Sequence, residues 1–185
     1  MFYWTTSMVY QLFLPPTTVL DIGANIGLFS LWARRCFPAA TIHAYEPNPR
    51  ITAFTKNNLA QGSIAFFAEG IGSQSGFASG IDQSESRLSQ FTVGAMAGIK
   101  VISLQEAVDR LGGNVDLLKL DCEGAEWEIF HDPTPFANIE SVRMEYHLTD
   151  GKTIADVKQV VESLGYAVDH LEENIGFGII WFSRP

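Results

Sequence analysis

TTVLDIGANIGLFS, residues 17–30, decides the reading of this chain. Val19, Leu20 and Ile22 form a short apolar run, the pattern of a buried parallel strand. The run ends in DIGANIG, residues 21–27, and residues 28–37 continue with apolar positions at helical spacing. Strand, glycine turn and helix open a doubly wound α/β domain, whose ligands sit at the carboxyl ends of the strands. Gly23 permits a tight turn, and Gly27 permits close packing of the helix on the strand. Asp21, Ala24 and Asn25 complete the candidate binding turn. A dinucleotide site usually carries a second glycine at the Asn25 position, so that backbone can approach a pyrophosphate. A polar amide there suits a nucleoside ligand without phosphates.

Residues 40–45 (ATIHAY) predict the second parallel strand, which ends in Glu46, Pro47, Asn48 and Pro49. An acidic residue at this tip, about 20 residues after a glycine turn, is placed to accept hydrogen bonds from both ribose hydroxyls of an adenosine. Pro47 and Pro49 stiffen the turn and hold Glu46 at the tip. A free carboxylate there would repel the 2′-phosphate of NADP. Asn25 favours S-adenosylmethionine over NAD, and Glu46 disfavours NADP.

The pattern then repeats. Residues 50–60 predict a helix and residues 63–68 a third strand, followed by a turn in which Gly70 and Ile71 could meet an adenine ring. Residues 73–98 are rich in Ser and Gly and read as a lid-like insert of short irregular strands. Within it, Phe77, Ile81, Leu88, Phe91 and Met96 are candidates to line a substrate pocket or to fill core. Residues 99–103 are extended, and residues 104–111 predict a helix stopped by Gly112 and Gly113.

Residues 115–120 (VDLLKL) predict a buried strand running into Asp121, Glu123 and Glu126. Three carboxylates at one strand end repel each other unless a sulfonium cation, a metal or a helix N-terminus offsets them. The helix dipole accounts for one of Glu123 and Glu126, which leaves Asp121 as the leading functional candidate. Residues 139–146 predict a fifth strand that delivers Glu145 and His147 to its carboxyl end. Residues two apart on a strand face the same way, so these two can act together. Residues 153–164 predict a helix, and residues 166–172 and 177–182 predict two closing strands. The turn between them is too short for anything but an antiparallel pair.

Composition narrows the function. The 185 residues are 46% hydrophobic and 18% charged, a globular profile for one domain over residues 17–185. Net charge is −9, from 12 basic and 21 acidic residues, and Arg34-Arg35 is the only adjacent basic pair. No basic stripe exists to neutralise a phosphate backbone, which argues against a nucleic-acid partner. Cys36 and Cys122 lack metal-ligand spacing and read as reduced thiols of a cytoplasmic protein. The apolar residues 1–16 lack a signal peptide's basic region and cleavage site and are too short to span a bilayer, so they are expected to pack on the domain.

Four motifs in this order, VLDIGANIGLFS, AYEPNP, LLKLDCEGAEWEIF and MEYH, resemble the FkbM-type S-adenosylmethionine-dependent methyltransferases. The most specific is KLDCEGAE. The resemblance implies a Rossmann-like class I methyltransferase fold: a seven-stranded, mostly parallel sheet with an antiparallel C-terminal strand and helices on both faces. It implies S-adenosylmethionine over strands one to four and O-methylation of a hydroxyl on a natural product, sugar or lipid. Carried over by position, Asp21, Gly23, Asn25 and Gly27 form the cofactor turn, Glu46 holds the ribose and Asp121 lies near the reacting centre. Relatives often carry more sequence before the first strand, so a second subunit, in a homodimer, is a candidate to complete the acceptor pocket.

A hydroxyl nucleophile needs a proton acceptor. His147 oriented by Glu145 is the expected base, with Asp121 and Glu123 as alternatives. Nothing in the spacing of Asp121, Glu123 and His147 demands a metal. Two other readings use the same fold: an NAD-dependent oxidoreductase, against which Asn25 and the terminal hairpin speak, and a non-catalytic partner-binding protein.

Overall fold

Strand β1 (Thr18–Ile22) sends Leu20 and Ile22 to one face of a sheet and Val19 to the other, and all three are buried. A strand apolar on both sides belongs in the middle of a sheet covered twice. The computed structural model, which describes residues 14–81, 88–92 and 98–185, puts it there.

Helix α1 (Leu28–Cys36) follows the glycine turn, then β2 (Thr41–Tyr45), α2 (Thr52–Ala60) and the three-residue β3 (Ala65–Phe67). Four short strands come next: β4 (Gly70–Gly72), β5 (Gly76–Ile81), β6 (Leu88–Thr92) and β7 (Ile99–Ser103). They make a separate sheet in the order β4-β7-β5-β6. Helix α3 (Leu104–Arg110) leads to β8 (Val115–Leu120), the one-turn α4 (Glu126–Ile129), a 3-10 turn (Thr134–Asn138) and β9 (Ile139–His147). Helix α5 (Ile154–Ser163), β10 (Ala167–Glu173) and β11 (Phe177–Ser183) complete the fold.

The main sheet has seven strands in the order β10-β11-β9-β8-β1-β2-β3. The pairs from β9 to β3 are parallel, and β11 runs antiparallel to both of its neighbours. Leu20, Ile22, Leu118, Leu120, Val142 and Met144 share one core with residues of α3, α4 and α5, among them Val108, Ile129 and Val161. On the other face Val19, Ile42, Ala44 and Leu117 pack with Phe29 and Ala33 of α1 and Leu59 of α2. Helices thus cover both faces, as the resemblance implied.

Local chemistry explains the element ends. Thr153 and Asp156 form a reciprocal capping box at the start of α5, and Ser103 caps α3 by accepting the Glu106 N–H. The helix expected after residues 121–126 lasts one turn, because Pro133 and Pro135 follow and cannot continue it. Gly70 and Ile71, expected in a turn, lie in β4 paired with β7. The insert is more regular than expected: β5 and β6 form an antiparallel hairpin against β7. Met96 and most of the N-terminal segment, residues 1–13, lie outside the described residues, as do the side chains of Ile81, Leu88 and Phe91.

Two glycines are required by geometry. Gly23 has φ +75°, and a Cβ there would lie 1.7 Å from the backbone oxygen of Asp121. Gly27 has φ +89°, and its Cβ would meet the Cδ2 of Leu59 at 2.6 Å. Its close approach is therefore to α2, not to the strand as expected. A leucine end can swing aside, whereas the backbone carbonyl of Asp121, whose residue is tied to β1 through its N–H, cannot. Gly23→Ala should cost about 3 kcal/mol or more and Gly27→Ala about 1–2 kcal/mol in urea unfolding. Equal losses would contradict this account.

Candidate active site

Parallel strands bring their carboxyl ends to one edge, and here the tips of β1, β2 and β8 enclose a cleft with β4. Gly23 and Ala24 both donate backbone N–H groups to the Tyr45 carbonyl, at 3.0 and 2.9 Å, and the Asp121 N–H reaches the Ile22 carbonyl at 3.1 Å. These bonds extend the strand ladders one step beyond the strands and hold the tips in register. The cleft is lined by Gly23, Asn25, Glu46, Pro47, Asn48, Gly70, Ile71, Asp121 and Glu123, with Tyr45, Ile51 and Cys122 among the rest. It holds about 690 Å³ of open space, its mouth included.

Glu46 is nearly buried, and each of its oxygens accepts one backbone N–H. Oε2 takes that of Asn25 and Oε1 that of Asn48, both at 2.8 Å. Asn25 adopts φ +50°, which aims its N–H across the cleft floor. A carboxylate offers about four acceptor positions, so two remain for a ligand. Burial raises the Glu46 pKa, and the two N–H bonds and Lys119 oppose that rise. Tyr45 stacks on Phe67 at 4.8 Å and makes one flat wall.

Asp21 does not reach the cleft. It lies fully buried beneath the turn, accepting the Ser30 hydroxyl at 2.6 Å, and burial raises its pKa against the pull of Lys119. Ala24 and Gly27 also lie off the cleft lining, Ala24 in the core and Gly27 against Leu59. Lys119 is the residue that sequence reasoning missed. Its ammonium is buried between Asp21 Oδ1 at 3.5 Å and Asp121 Oδ2 at 3.3 Å, and it donates to the carbonyls of Gly23 and Ile22. Burial pulls its pKa down, but Asp121 and Asp21 outweigh this and keep it charged. The signal was present: a lysine inside a strand that otherwise reads as core must find a partner.

The remaining candidates lie at the tips of β8 and β9: Asp121 and Glu123 line the cleft, whereas Glu145 and His147 stand beside it and are not part of its lining. Strand pairing sets Leu120 beside Met144, so the next step along each chain brings Asp121 alongside Glu145. Oδ1 of Asp121 is buried and has no hydrogen-bond partner among the described residues. Burial, followed by the charge of Asp121, pushes Glu145 up to about 7. His147 is ringed by Glu123 at 3.5 Å, Glu126 at 3.6 Å and Glu145 at 3.7 Å. Burial opposes its protonation, but these carboxylates prevail and its pKa lies above the ordinary histidine value. Glu126, 1% exposed, accepts the N–H groups of Cys122 at 2.7 Å and Gly124 at 2.9 Å. Of the two carboxylates in question, it is the one that satisfies the loop backbone. Glu123, with φ +54°, is half exposed and borders the cleft. Burial and nearby carboxylates push the Cys122 thiol up, so it offers no ready thiolate.

Among the described residues no three His, Cys, Asp or Glu side chains are grouped to hold a metal ion, and both cysteines are free. No described helix is long and apolar enough to cross a membrane.

The comparisons agree with this geometry. Residues 21–168 match the methyltransferase FkbM domain. The chain is 28% identical over 186 residues to "Methyltransferase 1" of Beauveria bassiana, covering 81% of this chain and 72% of that protein. It is 41% identical over 51 residues to the 31-O-demethyl-FK506 methyltransferase FkbM of Streptomyces tacrolimicus, covering 28% of this chain and 20% of that one. The crystal structure of methyltransferase FkbM from Methylobacillus flagellatus superposes with a TM-score of 0.64 at 15% identity, over 97% of this chain and 46% of that chain. At that identity the superposition speaks for the fold. The chain thus spans about half of that solved protein. A family match over most of the chain, on the strands and loops that build the cleft, makes this protein a member of the FkbM-type methyltransferases.

Proposed function

We propose that this chain binds S-adenosylmethionine in the cleft and methylates a hydroxyl of a small molecule. One observation carries the cofactor reading: Glu46 keeps both oxygens anchored by backbone N–H groups and still has acceptor positions for the two ribose hydroxyls. The Asp121 Oδ1, buried without a partner on the opposite wall, fits a donor from the same ligand. S-adenosylmethionine supplies an electrophilic methyl on a sulfonium with a good leaving group. The protein's task is to align the acceptor in a dry pocket and to remove its proton.

The electrostatics favour Glu145 as the base and not His147, a reversal of the expected roles. Three carboxylates push His147 toward its charged form, which has no lone pair to offer, whereas a carboxylate with pKa about 7 is poised near neutral pH. His147, 3.7 Å away, favours the ionised form of Glu145 and keeps it ready to accept a proton.

Two measurements test this reading. Isothermal titration should give heat with S-adenosylmethionine and none with NAD, and Glu46→Ala should weaken binding about 100-fold as two charge-assisted hydrogen bonds are lost. Folded wild-type protein that fails to bind the methyl donor would overturn the proposal. Once an acceptor is found, kcat/KM should rise with pH through about 7 as Glu145 loses its proton. Glu145→Gln should lower it about 10²–10⁴-fold and remove that limb. His147→Ala should keep the limb but move it to higher pH, because the cation that favours ionised Glu145 is gone. Loss of the limb in His147→Ala would return the base to His147.

A further inference from the structure

The one-turn helix α4 grips His147 at both ends. The Trp127 indole N–H donates to the His147 carbonyl at 2.7 Å, and the neighbouring Glu126 Oε2 stands 3.6 Å from the ring Nδ1. The same Glu126 carboxylate accepts the N–H groups of Cys122 and Gly124, in the loop that carries Asp121 and Glu123 into the cleft. Consecutive residues of α4 therefore join the tip of β8 to the tip of β9. The ring is held from the remaining sides by Phe177, stacked at 6.4 Å and 23°, and by Glu123 and Glu145 at Nε2.

A carboxylate that only capped the loop would need no histidine beside it. Glu126 is 1% exposed, and a charge at that depth is costly unless hydrogen bonds and an opposite charge offset it. The backbone N–H groups supply the first, and His147 supplies the second. The ring nitrogen facing Glu126 is itself buried with no hydrogen-bond partner among the described residues, so the pair is electrostatic. With Nδ1 turned to Glu126, Nε2 points to the pair Glu123 and Glu145.

We propose that Glu126 is a positioning residue of the active site: it fixes the loop bearing Asp121 and Glu123, and its carboxylate beside Nδ1 attracts a proton to the His147 ring and leaves Nε2 directed at Glu145. The charged groups facing His147 are Glu126 from α4, Glu123 from the loop and Glu145 from its own strand. Burial by itself favours the neutral ring. The catalytic consequence rests on the methyltransferase reading, but the charge state of His147 does not.

The experiment is the NMR titration of the His147 ring in the full chain, without cofactor, for wild type and Glu126→Gln. The wild-type midpoint should lie above the ordinary histidine value and fall in Glu126→Gln, which keeps one oxygen for the loop N–H groups. S-adenosylmethionine should still bind that variant within about threefold of wild type, while turnover falls about tenfold. An unmoved His147 midpoint in folded Glu126→Gln would overturn the proposal, because a loop cap alone predicts that result. If Glu126→Gln does not fold, the titration is made on Glu123→Gln/Glu145→Gln, where Glu126 is the one facing carboxylate left. A midpoint still above the ordinary value supports the proposal, and a fall to or below it overturns it. Failure of S-adenosylmethionine to bind wild type would strike the functional reading and leave this titration unaffected.

Discussion

A buried ammonium holds the edge of the sheet together. Lys119 sits between the carboxylates of Asp21 and Asp121 and donates to carbonyls of the glycine turn. Two adjacent strands thereby end in acids that would repel each other if left alone. An ion pair this deep gives little net stability against an apolar alternative, but removing one partner strands a charge and costs about 3–5 kcal/mol. What the lysine supplies is position. It fixes the oxygen of Gly23 from below while the Tyr45 carbonyl fixes the N–H groups of Gly23 and Ala24 from the side. The backbone that faces the ligand is therefore held before any ligand arrives.

The cleft divides into two parts of different character. The Glu46 carboxylate is tied to the backbone N–H groups of Asn25 and Asn48, and its remaining acceptor positions are set by these short hydrogen bonds. Around Asp121, Glu123, Glu145 and His147 the groups interact by charge at 3.5 to 3.7 Å instead. The first arrangement suits recognition of one invariant ligand. The second suits proton movement, because carboxylates and a histidine in mutual contact titrate as a set. This separation follows from the fold: the tips of β2 and β4 wall one side of the cleft, the loop after β8 walls the other, and β9 sets Glu145 and His147 behind that loop.

Much of this was legible in the chain itself. Apolar runs gave the strands, punctuated by Gly23, Gly112-Gly113 and Gly165, and the short turn at residues 173–176 gave the antiparallel closing pair. Glu46 stood out through its distance from the glycine turn. Lys119 did not, because its partners depend on the register between β1 and β8, residues 96 and more positions apart. The strand at Gly70–Gly72 was hidden for a similar reason: three small or single residues acquire strand geometry only by pairing with β7. The exchange of roles proposed for Glu145 and His147 could not be read from the chain, because residue spacing places side chains but does not weigh the charges around them. Three carboxylates about one ring reverse what an isolated His–Glu pair suggests.

Strand β11 lies between β9 and β10, although β10 precedes it in the chain. During synthesis β9 therefore leaves the ribosome with an open edge, and β10 follows with no neighbour in the sheet. An unpaired edge is a template for pairing with another chain. The hairpin turn at residues 173–176 limits that interval, since β10 and β11 can zip locally and dock on β9 as a unit. Completion of the sheet waits for this docking. The tip of β9 carries Glu145 and His147, so these side chains reach their final surroundings only when the hairpin has closed over them, with Phe177 against the His147 ring.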